Sequence, residues 1–243
     1  MVKILILGAT SDMAQALVKA LAKEKHQFYL ASRNVQRLKP FSQDLQIRLG
    51  VNTELVEFDA LDFESHKKFY ESLNTKPDWV ISFFGYLGNQ EKAEINWREA
   101  KTIVDTNYTA MVSILNIVAD DMEKRKNGTI VAISSVAGDR GRRSNYIYGS
   151  AKAALTTYLG GMRNRLYESN VHVMTVKPGF VNTQMTSGLD LPKSITTTPE
   201  RIAKGIVRGI RRKNNTIYLL PVWRIIMLLI KNIPEFAFKK LKL

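Results

Sequence analysis

Hydrophobic residues fall into short, nearly continuous runs that alternate with longer segments of helical spacing. The runs predict seven β-strands, at Val2–Leu7, Gln27–Ala31, Leu55–Phe58, Trp79–Phe84, Thr129–Ser134, Val171–Lys177 and Thr216–Leu220. Helical spacing predicts helices at Met13–Lys25, Ile103–Lys126 and Tyr146–Ser169. A further helix is predicted to begin at Thr198-Pro199-Glu200, with Thr as cap and Pro at the first helical position. Apolar strands that alternate with helices predict an α/β fold whose parallel sheet is covered by helices on both faces.

The amino-acid composition limits the kinds of chemistry that the protein can perform. The 243 residues are enough for one domain with a full core, and 45% hydrophobic with 24% charged residues is ordinary for a globular protein. The chain has no Cys, which excludes disulfides, a thiolate nucleophile and Cys-based metal sites, and which fits a reducing compartment. Its three His residues are far apart in sequence, so no metal site is predicted.

Positive charge is concentrated near the C-terminus. Lys and Arg number 36 against 22 Asp and Glu, a net charge of +14. Residues 201–243 contain eleven Lys or Arg and a single acid, Glu235, and so carry +10 of that charge. Such a surface attracts nucleic acid, anionic membrane or phosphorylated small molecules.

The tail combines this charge with an apolar run. Ile225–Ile230 is uninterrupted and is flanked by Arg224 and Lys231. The pattern favours a segment that lies in a membrane interface, with packing on the domain or in an oligomer interface as the alternative. No stretch reaches the roughly 18 apolar residues that a span requires. The aliphatic run is unsuited to base stacking, so no nucleic acid partner is expected.

The N-terminus offers no export signal, because the apolar run Ile4–Leu7 ends at Gly8 and is too short. We therefore expect a cytoplasmic protein, peripheral at the inner face of the cytoplasmic membrane.

Two segments predict a nucleotide site. The turn Gly8-Ala-Thr-Ser-Asp-Met-Ala14 follows the first strand and opens a helix, where backbone N–H groups can reach a pyrophosphate. Asp12 would repel that pyrophosphate, so we expect its carboxylate to point outward or to cap the helix. Ser32–Arg33 follows the second strand and supplies no acid for a ribose 2′-hydroxyl, which favours NADP(H), with NAD(H) as the alternative.

Tyr148 and Lys152 carry the strongest chemical signal. Four residues apart on a helix, their side chains share one face. A nearby cation lowers the pKa of a phenol, so the tyrosine is predicted to exchange a proton near neutrality. Ser134–Ser135 ends the fifth predicted strand, thirteen residues before Tyr148 when counted from Ser135.

This set, with Asn107 and Pro178–Gly179, resembles the short-chain dehydrogenase/reductase family over residues 1 to about 220. The resemblance implies a single-domain Rossmann fold with a doubly wound, seven-stranded parallel sheet. It implies a dinucleotide-binding catalytic domain at residues 1–221, followed by a basic amphipathic tail at 222–243. Tyr148 would be the general acid in ketone reduction, Ser135 would bind the substrate oxygen, and Lys152 would lower the tyrosine pKa and hold the nicotinamide ribose.

The family pattern also implies roles for further positions. Asn107 would fix a helix distortion and a water relay to Lys152, Asp59 would contact adenine, and Thr183 would contact the carboxamide. The predicted cofactor residues are Gly8, Thr10, Ser11, Asp12, Met13, Ser32, Arg33, Asp59, Ala60, Gly85, Tyr148, Lys152, Pro178, Gly179, Val181 and Thr183. In place of the family's Asn-Asn-Ala-Gly, the chain has Ser82-Phe-Phe-Gly85, which indicates a divergent branch.

The second half is similar to the family's reductases of decaprenylphosphoryl-2-keto-erythro-pentose, on residues 134–152, Phe84–Gly88 and the tail. That similarity implies reduction of a keto group on a polyprenyl-phosphate-linked pentose, a cell-envelope precursor. Arg140, Arg142 and Arg143 lie between Ser135 and Tyr148 and would suit the substrate phosphate, with a solvated basic loop as the alternative.

Two other functions stay open at this point. One is reduction of a soluble acyl or steroid-like ketone by a homo-oligomer that uses the tail for assembly. The other is a cofactor-bound scaffold or a nucleic-acid-binding protein that uses the basic tail, against which the complete Ser–Tyr–Lys set argues.

Overall fold

A computed structural model of the protein describes residues 1–188 and 190–241. Its strands are β1 (Lys3–Leu7), β2 (Gln27–Ser32), β3 (Thr53–Glu57), β4 (Trp79–Ser82), β5 (Gly128–Ile133), β6 (Val171–Pro178), β7 (Phe180–Val181), β8 (Thr196–Thr197) and β9 (Thr216–Leu219). Its helices are α1 (Asp12–Ala22), α2 (Lys39–Leu49), α3 (Ser65–Glu71), α4 (Gln90–Ile95), α5 (Trp97–Val104), α6 (Ala110–Arg125), α7 (Tyr146–Arg165), α8 (Pro199–Arg211), α9 (Val222–Asn232) and α10 (Glu235–Phe238).

Seven strands form one parallel sheet in the order β3-β2-β1-β4-β5-β6-β9. The two short strands β7 and β8 pair separately. The chain direction across the sheet reverses between β1 and β4, so a crevice opens there beyond the carboxyl ends of the strands. The seven predicted strands and the doubly wound parallel sheet are confirmed, with boundaries that differ by one or two residues.

Each face of the sheet is covered by its own layer of helices. On one face, Leu17 and Val18 of α1 and Ile206 of α8 are fully buried against the strands. On the other face, Ile114 and Leu115 of α6 and residues of α3 and α7 form the second core. Burial of these side chains is the main stabilising contribution to the fold, at about 1.5–3 kcal/mol for each large one.

The segment Ile103–Lys126 is helical, as predicted, but it is not one regular α-helix. Residues Asp105–Thr109 form a π-helical turn between α5 and α6, so the segment begins at Trp97 and bulges in its middle. Helices α2, α3 and α4 were not predicted, and only Ile103 and Val104 of α5 fell within a predicted helix. Helices α3 and α4 are only seven and six residues long, and α2 buries only Phe41 and Leu45.

The C-terminal helix α9 is apolar on two sides. Trp223 and Met227 are buried in a cluster that includes Val136. Ile225, Leu228 and Leu229 are more than 60% exposed. Packing on the domain, one of the alternatives for this segment, is therefore observed for one face of α9, while the opposite face remains uncovered. Among residues 1–188 and 190–241, no helix is both long and apolar enough to cross a bilayer.

Candidate active site

A cleft of about 880 Å³ lies at the carboxyl ends of β1 to β4, where the strand order reverses. It gathers most of the predicted cofactor residues, namely Gly8, Thr10, Ser11, Asp12, Met13, Ser32, Arg33, Asp59, Ala60, Gly85 and Thr183. Several other residues that line the cleft were not predicted, among them Arg37, Phe58, Phe84, Lys92 and Glu99.

Glycine is required at position 8, because two loops come into backbone contact there at the floor of the cleft. The φ of Gly8 is +79°, a left-handed conformation that favours glycine. A Cβ at this position would lie 2.6 Å from the backbone nitrogen of Phe84. The turn after β1 and the loop after β4 therefore touch through backbone atoms, and this contact sets the depth of the cleft.

The carboxylate of Asp12 is directed away from its own helix. Its Oδ2 accepts a hydrogen bond from the backbone N–H of Gln184 at 2.8 Å, and the side chain is exposed. Of the two expected placements, the structure shows the outward one, since no cap bond to α1 is made. Asp12 thus joins the pyrophosphate turn to the segment that carries Thr183.

Positive charge and an unsatisfied hydroxyl meet at the end of β2. Ser32 is 6% exposed, and its Oγ has no hydrogen-bond partner among the described residues. Arg33 and Arg37 are exposed on the cleft wall beside it. Two guanidiniums and a free hydroxyl match the donors that a phosphate monoester requires.

Asp59 follows β3, the strand paired with β2, and therefore lies on the same side of the cleft as Ser32. Its Oδ1 accepts a hydrogen bond from the N–H of Leu61 at 3.0 Å, which shapes the turn beside Ala60. The Phe58 and Phe84 rings, with centroids 5.8 Å apart, form an apolar wall next to it. This wall was not predicted.

Tyr148 and Lys152 lie on one face of α7, as predicted. The Lys152 Nζ is 5.6 Å from the centroid of the Tyr148 ring. Lys152 is 3% exposed, and its ammonium donates a hydrogen bond to the carbonyl oxygen of Ile133 at 2.9 Å. Ser135 caps the turn after β5 by accepting a hydrogen bond from the N–H of Ala137 at 3.1 Å, and its hydroxyl also interacts with that of Tyr148. The three side chains are brought together.

The expected acidic tyrosine is wrong for this structure. Burial raises the pKa of Tyr148 to about 12, and its interaction with Ser135 lowers the pKa only in part. Burial also lowers the pKa of Lys152 to about 7, because removal from water disfavours the ammonium. The lysine is therefore only partly charged at neutral pH, and desolvation is the dominant influence on the pKa of Tyr148.

Ser134 and Thr156 hold Lys152 in place, a role that the sequence did not reveal. The Ser134 hydroxyl lies 2.9 Å from the carbonyl oxygen of Lys152 and 2.8 Å from the hydroxyl of Thr156. A Cβ on Gly138 would come within 2.7 Å of the Lys152 backbone. The loop after β5 is thus fastened to α7 at the level of the lysine.

Asn107 occupies the π-helical turn and is fully buried. Its Nδ2 donates to the carbonyl oxygens of Tyr86 at 2.6 Å and Ile103 at 2.8 Å, and its Oδ1 accepts from the Tyr86 N–H at 3.3 Å. The helix distortion expected at this residue is present. A Cβ on Gly85 would lie 2.9 Å from Asn107 Oδ1 and 3.5 Å from Lys152 Nζ, so Gly85 keeps the space between these two side chains open.

Pro178, Gly179 and Val181 do not line the cleft, and neither do Tyr148 and Lys152, the other two predicted cofactor residues. The Lys152 ammonium lies behind Gly85, which does line the cleft. Gly179 faces the tail helix, because a Cβ there would lie 2.0 Å from the Trp223 indole. Val181 is buried in the first core. Thr183 does reach the cleft and begins a short helical turn with a capping box to Thr186.

The three loop arginines differ in surroundings. Arg140 is committed to the tail: its Nη1 donates to the carbonyl oxygens of Ile230 and Ile233 at 2.6 Å each, and its guanidinium lies 3.7 Å from the centroid of the Phe238 ring. The predicted substrate role of Arg140 is therefore wrong. Arg142 is half-buried, and its Nε has no partner among the described residues. Arg143 is exposed.

Burial lowers the pKa of the Arg142 guanidinium, against an opposing effect of Asp139. Asp139 itself is paired elsewhere, with the ammonium of Lys177 and the hydroxyl of Tyr218. Of the three arginines, Arg142 is the one whose donor is both buried and unsatisfied.

The cleft fits a nicotinamide dinucleotide. Its volume is large enough for a dinucleotide, and Gly8 leaves the backbone open next to the start of α1. The unsatisfied Ser32 hydroxyl lies beside two guanidiniums. Fold and site together define an NAD(P)-dependent oxidoreductase. The sequence pattern of the short chain dehydrogenases matches residues 2–193, and the chain belongs to that family.

Curated relatives agree with this membership, and a solved structure shares the fold. The chain is 34% identical over 241 residues to an uncharacterized oxidoreductase of Streptomyces coelicolor, covering 98% of this chain and 95% of the relative. It is 32% identical to an uncharacterized oxidoreductase of Mycobacterium tuberculosis, with 98% and 96% coverage. A Sphingobium yanoikuyae short-chain dehydrogenase in complex with NADPH superposes with a TM-score of 0.81 at 21% identity, over 97% of both chains.

Proposed function

We propose that the protein is an NADPH-dependent reductase of a keto-pentose carried on a polyprenyl phosphate, acting at the inner face of the cytoplasmic membrane in cell-envelope precursor synthesis. The observation that carries the reductase assignment is the convergence of Ser135, Tyr148 and Lys152 beside a dinucleotide-sized cleft. NADPH, when bound, supplies the hydride that reduces the carbonyl carbon to a secondary alcohol.

The chain's own residues supply the proton and the orientation. The Tyr148 hydroxyl, protonated at neutral pH because burial raises its pKa to about 12, donates its proton to the carbonyl oxygen. The Ser135 hydroxyl donates a hydrogen bond to the same oxygen and orients it. The Lys152 ammonium stabilises the phenolate that is left, which offsets the desolvation cost of forming a buried anion.

Two features support a lipid-linked substrate. The exposed face of α9 presents Ile225, Leu228 and Leu229, and cations flank it at Arg224 and Lys231. An apolar face bordered by cations suits an interfacial helix that inserts beside anionic headgroups. The second feature is Arg142, whose buried and unsatisfied Nε lies in the loop between Ser135 and Tyr148 and is suited to a phosphate oxygen.

Reduction of a soluble ketone is the second candidate. It is favoured by the finding that the Arg140 guanidinium bonds the tail and so is not available to a substrate phosphate. Within that candidate, α9 serves as an interface between copies in a homo-oligomer.

The deciding experiment measures NADPH oxidation with a polyprenyl-phosphate-linked keto-pentose in vesicles and with the same keto-pentose free in solution. We expect turnover of the lipid-linked substrate at far lower concentration, and loss of that preference in Ile225→Ser/Leu229→Ser. A matched control is Ile47→Ser/Ile95→Ser, which alters two exposed apolar residues elsewhere. Equal rates with both substrates, or a size change in the α9 variant without vesicles, would support the soluble-ketone candidate instead.

A further inference from the structure

A second groove, separate from the active-site cleft, lies between α8 and the edge strand β9 and has a volume of about 350 Å³. Four cations line it, Arg201, Lys204, Arg208 and Arg212, and no carboxylate does. None of the four has an ion-pair partner among residues 1–188 and 190–241.

The cations form one row: Arg201, Lys204 and Arg208 share a face of α8, and Arg212, which directly follows the helix, extends it. Like charges at this spacing repel and destabilise an isolated helix. The neighbouring Arg211 differs in that it lies outside the groove and is neutralised by Glu24 at 2.5 Å. The row is therefore an uncompensated positive surface whose repulsion an anion would relieve.

The floor of the groove is apolar. Ile217, Leu219 and Leu220 line it beneath the cations. At one end, Thr197 is 3% exposed and its hydroxyl has no hydrogen-bond partner among the described residues. An apolar floor under a cationic rim matches an amphiphile with a phosphate headgroup better than it matches a fully solvated polyanion.

The groove also continues into the tail. Pro221 lines it and directly precedes α9, whose exposed face carries Ile225 and Leu229. A surface that seats this face on a bilayer places the row of cations beside the headgroups, where each cation adds to the attraction.

We propose that the groove between α8 and β9 binds the phosphate headgroup of an anionic membrane lipid, as a site distinct from the reductase cleft. The inference rests on the membrane contact proposed above, but not on the identity of the reductase substrate. It assigns a role to the C-terminal concentration of charge that the active site does not use.

The test compares Arg208→Gln/Arg212→Gln with Lys68→Gln/Lys124→Gln, which removes the same charge from exposed positions on α3 and α6, on the opposite face of the sheet. Full-length proteins are floated with phosphatidylcholine vesicles, with and without phosphatidylglycerol. At about fivefold per cation, we expect the groove variant to lose roughly 25-fold in partitioning to anionic vesicles only. Equal losses in the two variants would overturn the proposal, since attraction would then depend on net charge alone.

A local probe locates the contact. The chain has no cysteine, so Lys204→Cys and Lys124→Cys can each carry one environment-sensitive dye. We expect a blue shift with anionic vesicles at position 204 alone, reversed by salt. No shift at 204 while the wild type still floats would place the lipid elsewhere. A shift produced by single-stranded DNA or inorganic phosphate, but not by vesicles, would replace the lipid with that ligand.

These outcomes are separable from failure of the proposed function. NADPH oxidation with a soluble ketone is measured on every variant, and we expect the groove variant to match the wild type. Ile225→Ser/Leu229→Ser should lose binding to neutral and anionic vesicles alike. If it floats as the wild type does, the membrane contact itself is wrong, whatever the groove binds.

Discussion

Arg140 closes the end of the C-terminal helix, with its Nη1 2.6 Å from the carbonyl oxygen of Ile230, ninety residues later in the chain. The same guanidinium bonds the Ile233 carbonyl oxygen and pairs with Glu235 at 2.9 Å. Because the last carbonyls of a helix have no partners within it, a cation at this position satisfies them and also complements the helix dipole. The loop that carries Ser135 and the tail that carries the exposed apolar face are thus mechanically joined.

Arg140→Ala is expected to lower the free energy of unfolding by about 2–3 kcal/mol, because hydrogen bonds from a charged donor to the partly buried carbonyls of Ile230 and Ile233 are lost. Urea denaturation measures this directly. Arg143→Ala is the control, since Arg143 is exposed, and its effect should stay within about 0.5 kcal/mol. Equal effects for the two arginines would contradict the tail contact.

Tyr148→Phe is expected to lower the rate of ketone reduction by roughly 10²- to 10⁴-fold while NADPH binding is retained, because only the proton donor is removed. Single-turnover kinetics and fluorescence titration with NADPH measure the two properties. Tyr146→Phe serves as the control, since Tyr146 begins the same helix and is 45% exposed. An unchanged single-turnover rate in Tyr148→Phe would remove the tyrosine from the mechanism.

The rate of reduction is expected to fall as pH rises through about 7. Lys152 has its pKa lowered to about 7, so its ammonium is present below that pH and is lost above it. Tyr148, with a pKa of about 12, keeps its proton throughout this range and cannot cause the decline. The measurement is kcat/KM for reduction from about pH 5 to about pH 10.

Lys152→Arg should move that decline to higher pH, because a guanidinium stays charged across the range. A wild-type profile that is flat through neutrality, or a decline at the same pH in the arginine variant, would show that another group titrates.

Arg33→Ala/Arg37→Ala is expected to raise KM for NADPH by about 10- to 100-fold, since charge-assisted hydrogen bonds to the 2′-phosphate are lost. KM for NADH should change little, which provides a control within the same enzyme. Parallel increases for both cofactors would mean that the two arginines do not bind the 2′-phosphate.

The sequence predicted the sheet well because its central strands are buried on both faces and are therefore mostly apolar, as in β1 and β5. Pairing of Tyr148 with Lys152 was also predictable, since helical spacing alone places them together. Contacts between segments that are distant in sequence could not be predicted. Nothing in the local sequence distinguishes Arg140 from Arg142, yet tertiary packing directs one to the tail and leaves the other unsatisfied.

The effects of burial on pKa values could not be predicted from the sequence either. The predicted acidity of Tyr148 followed from the charge of Lys152, but the depth of both side chains reverses the balance. The family resemblance implied the helix distortion at Asn107, but the local sequence does not show its cause: Asn107 departs from α-helical geometry to bond the backbone of Tyr86, in a loop twenty-one residues earlier.

The indole of Trp223 occupies the space that a side chain on Gly179 would need, and it packs beside Val136, next in the chain to Ser135. Truncation before Val222 would therefore expose the apolar surface around Val136, next to the catalytic serine. The truncated protein would be prone to aggregate during expression. The function of the tail is therefore best tested by surface substitutions in the full-length protein, because shortening the tail would also disturb the packing next to the catalytic serine.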